Sequence, residues 1–95
     1  MNDIYMVKLS KKALKDLQKM PLHIAIKLQA WVHSINHCGL YETRKTKGYH
    51  DEPLKGLRAS QRSIRLNKAY RAIYTIEEDG HICFVDIIEV TKHEY

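Results

Sequence analysis

The chain predicts an α+β domain: an N-terminal strand, an α-helical hairpin, then a three-stranded antiparallel meander, with the helices packed on one face of the sheet. Three observations lead there. Apolar residues alternate at Tyr5, Val7 and Leu9, recur at helical spacing from Ala13 to Ile35, and return to alternation or near-continuity between Arg62 and Val90. With 95 residues there is room for one domain, 1–95, because a chain this short buries only about 60–65% of its unfolded surface.

Tyr5, Val7 and Leu9 alternate with Met6 and Lys8, the pattern of a short strand with one face turned inward. Ser10 stops that strand, and its hydroxyl suits the N-cap of the helix that follows. There Ala13, Leu14, Leu17 and Met20 form an apolar stripe, and Lys11, Lys12, Lys15 and Lys19 take the wet side. Pro21 ends this helix and begins a longer one, on which Ile24, Leu28, Trp31, Val32 and Ile35 share a face. Gly39, able to adopt a left-handed cap, closes it. Residues 40–60 have no usable period and hold Gly48, Pro53 and Gly56. They read as a long loop, and loops of that length in compact domains are commonly functional. Residues 62–66 alternate as a strand, Asn67 and Lys68 make a tight turn, and residues 70–76 alternate again. Glu78, Asp79 and Gly80 supply the next turn, and residues 82–90 read as a central strand covered on both faces.

Charge is distributed unevenly. Residues 44–71 hold nine of the sixteen Lys and Arg but two acidic residues, Asp51 and Glu52, which makes the segment +7; the remainder, seven basic against nine acidic, is −2. Such concentration suits a phosphate-binding surface, because polyanion binding is driven by neutralised phosphates and released counterions. RNA or DNA is the first partner to test, and a solvated basic face is the plain alternative. The candidate phosphate contacts are Lys47, Lys55, Arg58, Arg62, Arg65, Lys68 and, outside the segment, Lys92. Cys38 and Cys83 stand far apart in apolar contexts, which suits small buried hydrophobes in a reducing cytosol. Of six histidines, His33 and His37 alone have a helical ligand spacing, and no Cys-x-x-Cys or His-Glu-x-x-His accompanies them, so neither a metal nor another cofactor is expected. Without a leader pattern or an apolar run near the roughly 18–20 residues that span a bilayer, a soluble cytoplasmic protein with no membrane contact is expected.

Strand alternation selects a face. Tyr70, Ala72, Tyr74 and Ile76 should meet the helices and Arg71, Ile73 and Thr75 the open side; likewise Ile64 and Leu66 point in, Ser63 and Arg65 out. Arg65 and Arg71 are thus expected on one surface of adjacent strands, where two planar donor forks fit a phosphodiester. Cross-strand pairing with Glu or Asp is the alternative. The loop adds His50, Asp51, Glu52 and Lys55 as titratable groups, one of which can serve as a base, with Gly48 and Gly56 permitting close backbone approach. At the C-terminus, His93 and Tyr95 project to one side if the last strand stays extended, and suit acid/base chemistry on RNA.

These residues carry a resemblance. The strings Gly48-Tyr49-His50-Asp51-Glu52-Pro53-Leu54-Lys55-Gly56, Arg62-Ser63-Ile64-Arg65-Leu66-Asn67, Tyr70-Arg71-Ala72-Ile73-Tyr74 and Val90-Thr91-Lys92-His93-Glu94-Tyr95 resemble the RelE/ParE superfamily of bacterial toxins, nearest to the HigB type, with the YoeB type as a close relative. The likeness follows element order over about residues 5–95 and is most specific in the second half. It implies the toxin of a type II toxin-antitoxin system, which enters the A site of the 70S ribosome against 16S rRNA, cuts the messenger RNA there, and is held inactive by a cognate antitoxin. Residue by residue it implies that Arg71 contacts the phosphate and the transition state, that Arg65 stands for a basic residue of the preceding strand, that Glu52 or His50 is the general base, and that His93 and Tyr95 are the terminal pair. In YoeB-like chains that His and Tyr are adjacent; here Glu94 separates them. The implied reaction is attack of the ribose 2′-OH on the neighbouring phosphorus, leaving a 2′,3′-cyclic phosphate and a 5′-hydroxyl. The alternatives are a ParE-like DNA gyrase inhibitor without nuclease chemistry and a non-catalytic RNA- or ribosome-binding domain.

Overall fold

A computed structural model of the chain describes residues 3–92. Strands β1 (Val7–Leu9), β2 (Glu52–Pro53), β3 (Arg62–Arg65), β4 (Tyr70–Asp79) and β5 (Ile82–Lys92) form one sheet in the order β1-β5-β4-β3-β2. β1 runs parallel to β5, and the pairings β2–β3, β3–β4 and β4–β5 are antiparallel. Helices α1 (Lys11–Gln18) and α2 (Leu22–Arg44) cover one face. The predicted architecture stands, with β2 added inside the segment expected to be a loop.

Ala13, Ile24, Leu28, Trp31 and Ile35 of the helices meet Ile64, Leu66, Ala72, Tyr74, Val85, Ile87 and Val90 of the sheet. At the centre Trp31 and Tyr74 stack with ring centroids 5.1 Å apart, a contact worth about 0.5–1.5 kcal/mol beyond its buried area. Several apolar positions depart from expectation. Leu14 is 50% and Ile76 45% exposed, and Cys38 and Cys83 are both exposed free thiols, not buried hydrophobes. The reason on the sheet is that β3 ends opposite Tyr74, so the β4–β5 hairpin carrying Ile76 and Cys83 continues past its neighbour. Its turn is Gly80-His81, closed by the Asp79–Ile82 pair; Gly80 has φ 64, as the first position of a type II′ turn requires.

β5 is covered on one face, not two. Val85, Ile87 and Val90 are buried while Phe84, Asp86 and Ile88 are only partly so. The inward spacing changes from two to three because of a bulge: Ile73 pairs with Glu89 but Tyr74 with Ile87, which leaves Ile88 over. Helix α1 uses the backbone groups around it. Ser10 Oγ donates to Ile88 O (3.0 Å) and accepts from Ala13 N (3.0 Å), capping the helix as its position implied, while Asp16 Oδ2 accepts from Val90 N (3.0 Å). Burial works against the Asp16 charge, but the Val90 N–H and the Lys12 and Lys19 ammoniums outweigh it and hold the carboxyl below its usual range.

Gly39 interrupts α2 and does not end it. Its φ 89 and ψ 163 break the helix, and one further turn and a half runs on to Arg44. The restart is capped from far away: Leu40 N donates to Ile4 O (2.8 Å) and Tyr41 N to Asp3 Oδ1 (3.1 Å). A side chain on Gly39 would collide with the Asp3 carboxylate and would sit at a φ that L residues avoid.

Two contacts tie the 45–61 segment to the core: the buried ring of Tyr49 and the side chain of Asp51. His50 takes a left-handed turn (φ 46, ψ 51), and Asp51 then points to the helix side of the sheet. Its side chain is 1% exposed; Oδ1 accepts from Arg62 Nε (2.7 Å) and Oδ2 from Tyr74 Oη (2.6 Å). Burial, then the hydrogen bond and the negative charge of Asp51, push the Tyr74 phenol far up, and the same carboxylate raises Arg62 against its own burial.

Two stability outcomes follow. Gly39→Ala should cost about 1–3 kcal/mol from backbone strain alone and lower the midpoint of chemical denaturation; an unchanged midpoint contradicts the kink described. Tyr74→Phe should cost about 1.5–3 kcal/mol at neutral pH, the worth of a hydrogen bond to a charged group. Because the folded phenol is raised, its contribution is complete below the ordinary tyrosine value of about 10 and is lost as pH rises beyond it, when the unfolded chain ionises first. The stability gap between wild type and Tyr74→Phe should therefore be constant up to about pH 10 and narrow progressively above it, as read by denaturation at each pH.

Candidate functional site

The face of the sheet opposite the helices carries two rows of side chains, because residues paired across strands point the same way. One row runs Glu52, Ser63, Ile73, Glu89; the next runs Arg65, Arg71, Thr91. Ile73 and Ser63 are buried there, 4% and 1% exposed, although no helix lies over them. Two arginines reach this row from its flanks: Arg58 leaves the 54–61 loop to reach Glu89 Oε1 (2.9 Å), with Gln61 Oε1 on its Nε (2.6 Å), and Arg71 reaches Ser63 Oγ.

In the second row Arg65 and Arg71 are direct cross-strand partners, as alternation predicts. The Arg71 side chain is 21% exposed; its Nη1 donates to Ser63 Oγ (3.3 Å) and stands 3.9 Å from Glu52 Oε1, whose own side chain is 63% exposed. Among the described residues no carboxylate pairs with Arg65. Two arginines on paired positions repel, and an anion bridging them would relieve that repulsion, so the row is of a kind that suits a phosphate-like group, with one carboxylate beside it.

The other sequence candidates are dispersed around this centre. His50 is exposed in its left-handed turn; Lys47 and Lys55 are exposed on the same segment, and Lys68 lies in the β3–β4 turn. Arg62 pairs with Tyr74 across the strands and is thus on the helix side, occupied by Asp51 and apart from the Arg71 row. Lys92 pairs with Tyr70 and shares that opposite parity at the end of β5. His93 and Tyr95 lie outside the described residues. Sequence reasoning treated Asp51 as one of four titratable loop groups and gave no part to Ser63 or Glu89 in building the site. A signal existed for the first: Asp51 and Glu52 are the acidic residues of a +7 segment, so each was bound to find a cation, and they find Arg62 and Arg71.

His33 and His37 stack with ring centroids 4.0 Å apart on α2, and among the described residues no three His, Cys, Asp or Glu side chains gather as a metal would need. Among those residues, too, no helix is long and apolar enough to cross a membrane.

Comparison with known proteins gives no matching family model and no matching curated protein. Solved structures do match. YafQ of E. coli aligns over 92% of this chain and 91% of its own with a TM-score of 0.71 and 15% identity. A YoeB/ParE toxin of Agrobacterium tumefaciens aligns over 94% and 99% with 0.67 and 18%. A chain of the RelBE2 toxin-antitoxin complex of Mycobacterium tuberculosis aligns over 95% and 99% with 0.58 and 27%. Over more than nine-tenths of its length, therefore, this chain has the fold of the RelE/ParE toxin superfamily, as the motifs of its second half implied.

Proposed function

We propose that the protein is the toxin of a type II toxin-antitoxin pair, and that it cuts messenger RNA in the A site of the 70S ribosome through the open face of its sheet. The observation that carries this is the approach of the Glu52 carboxylate to the Arg71 guanidinium, 3.9 Å apart, with Arg65 directly beside Arg71. A carboxylate next to paired cations suits a reaction in which a proton is withdrawn while negative charge builds at phosphorus.

Glu52 takes the proton of the ribose 2′-OH; His50, two residues earlier, is the other base in reach of the same loop. The 2′-oxygen forms its bond to phosphorus, and Arg65 and Arg71 stabilise the charge on the equatorial oxygens. The bond to the 5′-oxygen breaks as His93 delivers a proton to it, with Tyr95 stacking on a base or orienting His93. The products are a 2′,3′-cyclic phosphate and a 5′-hydroxyl, and no metal takes part. Lys47, Lys55 and Lys68, all exposed, hold flanking phosphates of the message and of 16S rRNA. A cognate antitoxin is the natural second partner: one of the similar chains was solved within a toxin-antitoxin complex.

The test is single-turnover cutting of a message on programmed ribosomes. Arg71→Ala and Glu52→Gln should each slow it by about 100-fold or more, with ribosome affinity within about threefold of wild type. Full activity of Arg71→Ala overturns the site. A second experiment places one 2′-deoxynucleotide on the 5′ side of the cut. Cutting should stop there for want of the nucleophile; continued cutting of the deoxy substrate contradicts the mechanism.

A further inference from the structure

We propose that Asp51 is a positioning residue: by holding Tyr74 and Arg62 on the helix side of the sheet, it fixes its neighbour Glu52 on the open side, at Arg71. The kinetic half of this rests on the nuclease reading above; the structural half does not.

Successive residues of an extended segment point to opposite faces. Asp51 and Glu52 are successive, one nearly enclosed with 1% of its side chain exposed and the other 63% exposed on the far side. Whatever fixes the first therefore orients the second. The strand that follows holds itself weakly. β2 consists of Glu52 and Pro53, and a proline contributes no N–H to the ladder. The strand is preceded by the left-handed turn at His50, which tertiary contacts must sustain. By contrast, both Asp51 oxygens accept short hydrogen bonds, from Tyr74 Oη at 2.6 Å and Arg62 Nε at 2.7 Å, and Arg62 Nη2 also reaches the Asp51 carbonyl at 3.4 Å. The anchor is itself rigid, since Tyr74 is 0% exposed and stacks on Trp31. Core packing is thereby transmitted through one carboxylate to the base, and Arg62 serves this purpose from the face away from the substrate. A group that must sit within tenths of an ångström of its target needs such a supporting contact.

Asp51→Asn, which keeps shape and removes charge, and Tyr74→Phe, which removes one donor, test this with two readouts on the full chain, near-UV circular dichroism of Trp31 reporting the fold. The first is hydrogen exchange at Leu54, whose N–H donates to Gln61 O (2.9 Å) just beyond β2. Exchange there should quicken at least tenfold in both variants through an opening that lies below global unfolding, so that Leu54 stays faster than the β4 and β5 amides, which quicken only with the loss of overall stability. Unchanged Leu54 exchange in both variants, or Leu54 exchange no faster than that of the β4 and β5 amides, overturns the proposal. The second is single-turnover cutting. Asp51→Asn should slow it about 10–100-fold with half-saturation within twofold, and should have no further effect when Glu52 is already Gln. An equal loss in both backgrounds overturns a role exerted through Glu52. Should wild type cut no RNA while Leu54 behaves as expected, the anchor stands and the nuclease reading falls.

Discussion

The buried Asp51 carboxylate is the contact on which the site's geometry depends. A charge enclosed to this degree is tolerated only when fully paired, and removing one partner of such a pair typically costs about 3–5 kcal/mol. Here the pairing is complete, with Arg62 on one oxygen and Tyr74 on the other. Because Tyr74 belongs to the helix-facing core and Glu52 to the open face, Asp51, bonded to the first and adjacent in the chain to the second, couples two surfaces that otherwise share only the thickness of a sheet.

The +7 segment is accordingly not a uniform basic face. Its cations are sorted by partner. Arg62 is consumed by the anchor, Arg58 by Glu89 across β4, and Lys45 by Glu42 at the end of α2. Arg65 and Arg71 remain together in one row, with Glu52 at the edge. The surface pairs at Arg58 and Lys45 contribute little to stability, on the order of 1 kcal/mol or less; their effect is to determine which positive charges stay open to an anion.

Much of this was legible in the sequence where a local rule governs. Alternation placed Arg65 and Arg71 on one face and Tyr74 on the other, Ser10 announced its cap, and Gly39 announced a positive φ. What lay beyond reach depended on partners distant in the chain. Gly39 reads as a terminus, yet the helix resumes because Asp3 and Ile4 cap its restart across the fold. The bulge at Ile88 carries no signature of its own, since Ile87, Ile88 and Val90 are all apolar and only Ser10 and Asp16 reveal which phase is inward. Asp51 looked like one more titratable loop residue, because its partners stand 11 and 23 positions away.

Under the proposed function the open face, with its carboxylate and two guanidiniums, cuts RNA that is engaged in translation. Primer extension on a translated message, with and without ribosomes, tests this most directly. The account predicts discrete cuts inside the reading frame that appear only when ribosomes are present. Growth arrest with an intact message, or equal cutting of naked RNA, would contradict it.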